Sequence, residues 1–108
     1  MRIAFRADGS PTMGTGHVMR CVTLAAAARE LGHEPLLVIN DTDVEWLEDY
    51  ISEMGLPVSR VTANELTLDQ FAGFRPDRVL IDSYVYSDAS IDRVAESIRT
   101  AVIVDFNT

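Results

Sequence analysis

The sequence predicts an α/β fold, a Rossmann-like doubly wound parallel sheet of about five strands, and two patterns carry that prediction. Short apolar runs rich in β-branched residues alternate along the chain with longer segments of helical period. The runs are apolar throughout, not at every second position, which is typical of parallel strands covered by helices on both faces. With 108 residues, 47% of them hydrophobic, the chain is long enough for one domain with its own core.

The first two strands and the helix between them have the clearest pattern. A strand begins at Ile3–Phe5, and a helix is predicted over His17–Leu31 because its apolar residues recur every three or four positions. Gly32 follows directly, where such a helix is expected to end. Pro35–Ile39 is continuously apolar and too short for a helix, so it is predicted to be the second strand.

Two Thr-x-x-Glu patterns resemble capping boxes and therefore predict helix starts. The first, Thr42–Glu45, precedes apolar residues that lie on one helix face as far as Met54. The third strand is predicted at Pro57–Val61. The second pattern, Thr62–Glu65, predicts the start of a short helix that continues through Phe71.

The last third of the chain repeats the strand–helix–strand order. Val79–Asp82 is predicted to be the fourth strand, and Ala101–Asp105 the fifth. Ser87 or Asp88 can cap the helix between them. The apolar residues that would form the buried face of this helix are Ile91, Val94, Ala95 and Ile98.

A doubly wound domain usually covers its last strand with another helix, and this sequence runs only to Thr108, just past the fifth strand. We therefore expect residues 1–108 to be the N-terminal domain of a larger, two-domain protein. The face that would meet the second domain could also pair with another copy of the chain, so a homodimer is consistent with the same packing argument.

The charge of the chain argues against two classes of partner. Nine arginines and no lysine stand against 17 acidic residues, for a formal net charge of −8, so a nucleic acid or an anionic membrane surface would be repelled. The first residues do not resemble a signal peptide, and no apolar run approaches the roughly 18 residues that span a bilayer. The lone Cys21 cannot form an intrachain disulfide. We expect a cytoplasmic protein.

Ligands of an open parallel sheet bind beyond the carboxyl ends of the strands, where the strand order reverses. For the usual order 3-2-1-4-5, the loops that flank this crevice are Asp8–Gly16 and Ser83–Ser87. Gly14 and Gly16 let the backbone turn tightly, and the helix that follows would direct its N–H groups at an anion or a polar sugar. Met19 stands where a dinucleotide fingerprint needs glycine, so the two glycines also fit a turn that binds nothing.

His17 falls in the first turn of that helix, with Arg20 one turn further on. The positive end of the helix dipole favours a neutral imidazole, so His17 is a candidate general base; a capping or packing role is the alternative. Cys21 lies four residues after His17, but it belongs to the apolar stripe and no third ligand accompanies the pair. We therefore expect neither a metal nor another cofactor.

Polar residues at the ends of two strands complete the candidate site. Asp82 ends the fourth strand, where a carboxylate could orient His17 or bind a ligand hydroxyl. Tyr84, in the adjacent loop, could stack on a sugar or hydrogen-bond to it. The alternative is that Asp82 caps nearby backbone and Tyr84 covers the core. Asp8 and Ser10 in the first loop are further candidates for ligand contacts.

These residues resemble the PseG/SpsG family. Arg2–Asp8 running into Gly14–Arg20 is similar to the first strand and the Gly-x-Gly-His-x-x-Arg turn and helix that open those proteins. Asp82–Tyr84 is similar to the Asp-x-Tyr that ends their fourth strand. The resemblance spans most of the chain in order and spacing. More loosely, the chain resembles the N-terminal domain of GT-B glycosyltransferases such as MurG.

The best-known members of this family are the UDP-2,4-diacetamido-2,4,6-trideoxy-β-L-altropyranose hydrolases of pseudaminic acid biosynthesis. The resemblance implies that a UDP-linked amino sugar is hydrolysed at its anomeric carbon, with inversion, by water that His17 activates, and that no metal is needed. A second, C-terminal domain, absent from this sequence, would hold most of the nucleotide, so little turnover is expected from these residues alone. The expected substrate-binding residues are Asp8, Ser10, Gly14, Thr15, Gly16, Arg20, Asp82 and Tyr84.

One departure and two alternatives stand beside this interpretation. The family commonly has paired aspartates after the fifth strand, where this sequence has Asp105-Phe-Asn-Thr108. The acceptor domain of a GT-B glycosyltransferase would need a base at the same place, to deprotonate an acceptor hydroxyl instead of water. A non-catalytic module that binds a sugar, a nucleotide or a protein would share the topology. A receiver-type signalling domain is excluded because it needs a lysine after the fifth strand.

Overall fold

The computed structural model describes residues 1–83 and 85–103, and it confirms the predicted α/β class. The strands are β1 (Arg2–Ala7), β2 (Glu34–Ile39), β3 (Val58–Arg60), β4 (Arg78–Asp82) and β5 (Arg99–Val102). The helices are α1 (Gly16–Glu30), α2 (Glu45–Met54), α3 (Asp69–Ala72) and α4 (Asp88–Ala95). All strand pairs are parallel, in the order β3-β2-β1-β4-β5 of a Rossmann-like doubly wound sheet.

The central strand β1 pairs with β2 on one side and with β4 on the other. In this register Ala7 lies opposite both Ile39 and Asp82, so the three strands end together at one edge of the sheet. The strand order reverses between β1 and β4, where the sequence predicted the crevice.

Helices cover both faces of the sheet, because successive strand residues point to opposite sides. The core on the α1 and α2 side includes Phe5, Ala7, Leu37 and Ile39 from the strands and Val18, Cys21, Val22, Ala25, Leu47 and Ile51 from the helices. The core on the α3 and α4 side includes Ala4, Val38, Val79, Ile81, Leu66, Phe71, Tyr86 and Val94. No helix within residues 1–83 and 85–103 is long and apolar enough to cross a bilayer.

The capping box predicted at Thr42–Glu45 is wrong. Helix α2 begins at Glu45, and the residue before it, Val44, provides no side-chain cap. The Thr42 hydroxyl instead donates to the Glu48 carboxylate at 2.7 Å, and Arg60 donates to the same carboxylate at 2.5 Å. The Thr42 hydroxyl therefore bonds to Glu48 and not to Glu45, and Arg60 of β3 holds the Glu48 carboxylate in place.

The second capping box, predicted at Thr62–Glu65, is also wrong. This segment is a turn with Asn64 at a φ of 65°, and α3 begins only at Asp69. The carbonyl oxygens of Thr62 and Glu65 accept hydrogen bonds from the buried Arg6 guanidinium, at 3.2 Å and 2.6 Å. These long-range bonds hold the two carbonyls away from the direction that a helix would require.

The predicted start of α4 is confirmed, since Ser87 is its N-cap and accepts a hydrogen bond from the Ser90 N–H at 3.1 Å. Ala95 is exposed, so its predicted place on the buried face is wrong. Strand β5 begins two residues earlier than predicted, at Arg99, because its register follows the neighbouring β4. Residues 104–105 of the predicted strand lie outside the described residues.

Candidate functional site

The loop between β1 and α1 closes on itself through Ser10 and Gly14. The Ser10 N–H donates to the Gly14 carbonyl at 3.2 Å, and the Gly14 N–H donates to the Ser10 carbonyl at 2.8 Å. The Ser10 hydroxyl also accepts from the Met13 N–H at 2.8 Å. Gly14 has a φ of 93°, in the left-handed region that favours glycine. Ser10 and Gly14 thus shape the turn that leads into α1.

Asn40, directly after β2, anchors the same loop from the side. Its amide oxygen accepts from the Gly9 N–H at 2.9 Å, and its amide nitrogen donates to the Gly9 carbonyl at 2.7 Å. A Cβ on Gly9 would lie 3.1 Å from both the Gly14 oxygen and the Val18 side chain, so the chain is close-packed here. Sequence reasoning missed Asn40. The available indication was that a polar amide side chain directly follows the continuously apolar strand β2.

Helix α1 begins at this turn with Thr15 as its N-cap residue, whose side chain makes no capping hydrogen bond. No acidic residue occupies the first turn, so the positive end of the helix dipole is not offset locally. Gly16 is exposed, and a Cβ there would meet nothing within 4 Å. The predicted residues Thr15 and Gly16 therefore lie next to His17 at the start of α1.

His17, Arg20 and Asp82 form one hydrogen-bonded group, the His17–Asp82–Arg20 cluster. His17 Nδ1 lies 2.6 Å from Asp82 Oδ1. Arg20 donates from Nε to Oδ2 at 2.5 Å and from Nη2 to Oδ1 at 2.8 Å, a bidentate contact. The Asp82 side chain is 1% exposed, whereas those of His17 and Arg20 are 17% and 41% exposed. Two successive turns of α1 thus share the carboxylate that ends β4.

The electrostatics of this cluster fix the proton on one nitrogen of the ring. Burial alone would raise the pKa of Asp82, but the hydrogen bonds and charges of Arg20 and His17 outweigh it and hold that pKa below its ordinary value. An ionised carboxylate only accepts, so Nδ1 of His17 carries the proton that it shares with Asp82. In the neutral ring, Nε2 then bears the basic lone pair.

Cys21 lies on the buried side of α1, behind this cluster. Burial, together with the negative charge of Asp82, raises the pKa of its thiol to about 12. At neutral pH the sulfur is therefore a protonated thiol, neither a nucleophile nor a ready metal ligand. Within residues 1–83 and 85–103, no three His, Cys, Asp or Glu side chains are grouped so that they could hold a metal ion.

Asp8 belongs to a different group, on the opposite face of the sheet. Its carboxylate accepts from Arg6 Nη1 at 2.6 Å, from the Tyr86 hydroxyl at 2.7 Å and from the Asn64 N–H at 3.0 Å. We refer to this group as the Arg6–Asp8–Tyr86 cluster. Arg6 is 0%, Asp8 1% and Tyr86 8% exposed, so these side chains are sealed from solvent. The structure does not bring Asp8 together with His17.

Arg6 was missed by sequence reasoning, although it ties several loops together. Its guanidinium lies 5.0 Å from the Tyr86 ring centroid. Burial raises the pKa of Tyr86 above its ordinary value, so its hydroxyl stays a donor to Asp8. The other groups that Arg6 contacts are Gln70 Oε1 and the carbonyl oxygens of Ala7, Val38, Thr62 and Glu65. An arginine inside an apolar strand, with an aspartate two residues on, was the available signal.

The predicted site residues therefore divide into four sets. His17 and Arg20 both contact Asp82, and Thr15 and Gly16 lie beside His17 at the start of α1. Ser10 and Gly14 form the preceding turn. Asp8 lies on the other face, and Tyr84 lies outside the described residues.

The fold and this cluster define a doubly wound domain with a buried carboxylate, a histidine and an arginine at its topological switch point. No family model matches the chain. The chain is 28% identical over 105 residues to an uncharacterized protein of Methanocaldococcus jannaschii, a match that covers 97% of this chain. The chain spans 22% of the length of that relative.

Proposed function

We propose that this chain is the sugar-binding, water-activating domain of a nucleotide-sugar hydrolase, with His17 as the general base. The observation that supports the proposal best is the 2.6 Å contact between His17 Nδ1 and the buried Asp82, at the edge where doubly wound sheets bind ligands. The substrate we propose is a UDP-linked amino sugar of pseudaminic acid or surface polysaccharide biosynthesis.

In the proposed reaction, His17 accepts a proton at Nε2 from a water molecule as the water oxygen bonds to the anomeric carbon. The bond from that carbon to the phosphate oxygen breaks, and the nucleoside diphosphate leaves with the electron pair. The carboxylate of Asp82 stabilises the imidazolium that forms and keeps the ring in one tautomer. Arg20 holds both carboxylate oxygens and so restricts the orientation of Asp82.

The charge of the cluster favours the sugar over the diphosphate as the part bound here. With a neutral imidazole, Arg20 and Asp82 cancel, which suits a neutral diacetamido sugar better than a polyanion. We propose that the nucleotide is held by polypeptide beyond this chain, which spans only 22% of its relative.

An amide-resolved NMR titration of this chain tests the proposal, with a diacetamido amino sugar and with UDP as separate ligands. We expect the sugar to shift the amides of Gly14–Arg20, and UDP to shift them weakly. Asp82→Asn should lower the sugar affinity about tenfold, because it loosens the ring of His17. Strong UDP binding at Gly14–Arg20, or no sugar binding, would contradict the proposal.

In a protein that contains this chain and turns over a UDP-amino sugar, product analysis tests the reaction class. Free sugar and UDP are expected, and His17→Ala should reduce the rate about 10²- to 10⁴-fold. A sugar conjugate as the product would instead establish a transferase.

A further inference from the structure

Asn40 holds the backbone of Gly9 through both ends of its amide group. The amide oxygen accepts from the Gly9 N–H at 2.9 Å, and the amide nitrogen donates to the Gly9 carbonyl oxygen at 2.7 Å. Asn40 is 5% exposed, so little water competes for these two bonds. Asparagine is the shortest side chain with both a donor and an acceptor, and this contact uses both. We call it the Gly9–Asn40 pair.

The Gly9–Asn40 pair is itself held from the side of β3. Arg60 donates from Nη1 to the Asn40 carbonyl oxygen at 2.8 Å and to the Glu48 carboxylate at 3.0 Å. Asn40 thus connects the carboxyl ends of β1, β2 and β3. Strands β2 and β3 lie on one side of β1, and β4, which carries Asp82, lies on the other.

Gly9 packs directly against the start of α1. A Cβ on Gly9 would lie 3.1 Å from the Gly14 carbonyl oxygen and 3.1 Å from the Val18 side chain, so there is no free space between these groups. Val18 is fully buried and directly follows His17. Because close-packed groups move together, a displacement of Gly9 would displace the first turn of α1.

The start of α1 depends on this packing because its N-cap residue provides no side-chain cap. The side chain of Thr15, at the N-cap, makes no capping hydrogen bond. Such a bond normally satisfies an N–H of the first turn and fixes the entry of the chain into the helix. At α1, the packing of Gly9 on Gly14 and Val18 takes over that role.

We propose that Asn40 is a positioning residue for His17. Through Gly9 it sets the place of the first turn of α1 relative to β4, and so the geometry in which His17 Nδ1 meets Asp82 at 2.6 Å. Asn40 acts through the backbone and does not touch the sugar. This inference rests on the proposed function, since the geometry of His17 matters to a ligand if His17 is the base.

Asn40→Asp tests the proposal by NMR titration with the diacetamido amino sugar. Aspartate keeps the shape and the acceptor of Asn40, but an ionised carboxylate cannot donate and would repel the Gly9 carbonyl oxygen. We expect the folded variant to bind the sugar about tenfold more weakly than the unaltered chain, and its His17 ring signals to shift. Asn40→Ala removes both bonds without adding a charge and should act in the same direction.

Thr42→Val is the matched control. Thr42 also lies just after β2 and is 0% exposed, and its hydroxyl donates to Glu48, so the variant loses a buried hydrogen bond but keeps the Gly9–Asn40 pair. Thr42→Val and both Asn40 variants should unfold at a lower urea concentration than the unaltered chain. Thr42→Val should nevertheless keep its sugar affinity within about twofold and its His17 ring signals unchanged.

Hydrogen exchange of the unaltered chain is a second measurement, which needs no variant to fold. If the Gly9–Asn40 pair favours sugar binding, bound sugar must by linkage stabilise the pair. Saturating sugar should therefore slow the exchange of the Gly9 amide more than that of the Asn64 amide, which Asp8 holds on the other face. Equal slowing of the two amides would overturn the proposal.

Failure of this proposal and failure of the proposed function are distinguishable. If the unaltered chain does not bind the sugar, the proposed function fails; His17 ring signals that shift in Asn40→Asp but not in Thr42→Val would then still support the positioning of His17. If the sugar binds, and Asn40→Asp and Asn40→Ala change neither its affinity nor the His17 ring signals, Asn40 is not a positioning residue and the proposed function stands. An equal loss of sugar affinity in Thr42→Val would also overturn the proposal.

Discussion

The His17–Asp82–Arg20 and Arg6–Asp8–Tyr86 clusters are built from similar groups at the ends of neighbouring strands. Each has an aspartate that is 1% exposed, an arginine and a ring-bearing side chain. They differ in what surrounds them. The first lies on the α1 face with Arg20 41% exposed, and the second lies on the α4 face with Arg6 fully buried.

This difference separates a structural ion pair from a candidate site. The Arg6–Asp8–Tyr86 cluster is the sealed one. Its Asp8 accepts from three donors, and Arg6 is surrounded by hydrogen-bond acceptors, so a ligand has no route to either side chain. The His17–Asp82–Arg20 cluster is the open one, since the buried Asp82 carboxylate bonds to His17 and Arg20, whose side chains reach solvent. A buried, partnered carboxylate is therefore not by itself a sign of function; the exposure of its partners decides.

The largest expected effect comes from removing the arginine of the sealed cluster. Arg6→Leu leaves Asp8 as a buried charge without its main partner, and should reduce the free energy of unfolding by about 3–5 kcal/mol. Arg20→Leu is the matched variant, and should cost no more than about 1–2 kcal/mol because Arg20 is partly exposed and Asp82 keeps His17. Urea denaturation of both variants measures the difference. Similar losses would break the distinction between the two clusters.

A smaller effect is expected from the Tyr86 hydroxyl. Tyr86→Phe removes the 2.7 Å hydrogen bond to Asp8 but keeps the ring over Arg6, and should cost about 1–2 kcal/mol. Tyr50→Phe is the control, since the Tyr50 hydroxyl bonds to none of the described residues; its effect should stay within about 0.5 kcal/mol. If the two variants unfold at the same urea concentration, the sealed cluster does not depend on that hydroxyl.

Gly14 and Gly16, next to the His17–Asp82–Arg20 cluster, should differ in how much an alanine substitution lowers the free energy of unfolding. Gly14→Ala forces a side chain into a backbone with φ of 93°, and should cost about 1 kcal/mol. Gly16 has open space around its Cα and no positive φ, so Gly16→Ala should change the free energy of unfolding by less than about 0.5 kcal/mol. Thermal unfolding of the pair measures both. A larger loss of stability in Gly16→Ala than in Gly14→Ala would contradict the open space around Gly16.

The smallest effect is the acid dependence that Asp82 contributes. The pKa of Asp82 is lower in the folded state than in the unfolded state. The stabilisation that ionised Asp82 gives is therefore fully present above the unfolded aspartate pKa of about 3.9, and it is lost as the pH falls through the lower pKa of the folded state. We expect a loss of up to about 1 kcal/mol, discounted because Arg20 is partly exposed. Asp82→Asn should flatten this part of the curve of unfolding free energy against pH. An unchanged curve would contradict the ion pairing.

The sequence was sufficient to predict the strand order and the placement of His17, Arg20 and Asp82 at one crevice, because both depend on apolar runs and on the residues at their ends. It was insufficient for the capping boxes. The carbonyl oxygen of Glu65 accepts from Arg6, which is distant in sequence, and such a tertiary contact overrides a local pattern. The Thr42 hydroxyl bonds to Glu48, one turn further along α2 than the expected Glu45, and Arg60 from β3 holds that carboxylate.

The face of the sheet on which Asp8 lies follows from the local sequence, whereas the face on which Asp82 lies does not. Asp8 follows Arg6 at the two-residue period of a strand, so the two side chains share a face. Asp82 joins α1 because register places it opposite Ala7, whose side chain packs on the α1 side. Register between β1 and β4 comes from the packed sheet, and nothing within either segment specifies it.

The most direct test of the two-cluster account measures unfolding free energy and sugar affinity in the same two variants, His17→Ala and Tyr86→Phe. We predict that His17→Ala lowers the free energy of unfolding by no more than about 1–2 kcal/mol, because Asp82 keeps Arg20, but binds the diacetamido sugar at least about tenfold more weakly. Tyr86→Phe should lose about 1–2 kcal/mol of stability and keep its sugar affinity within about twofold. Loss of sugar affinity in Tyr86→Phe with retention in His17→Ala would contradict the account.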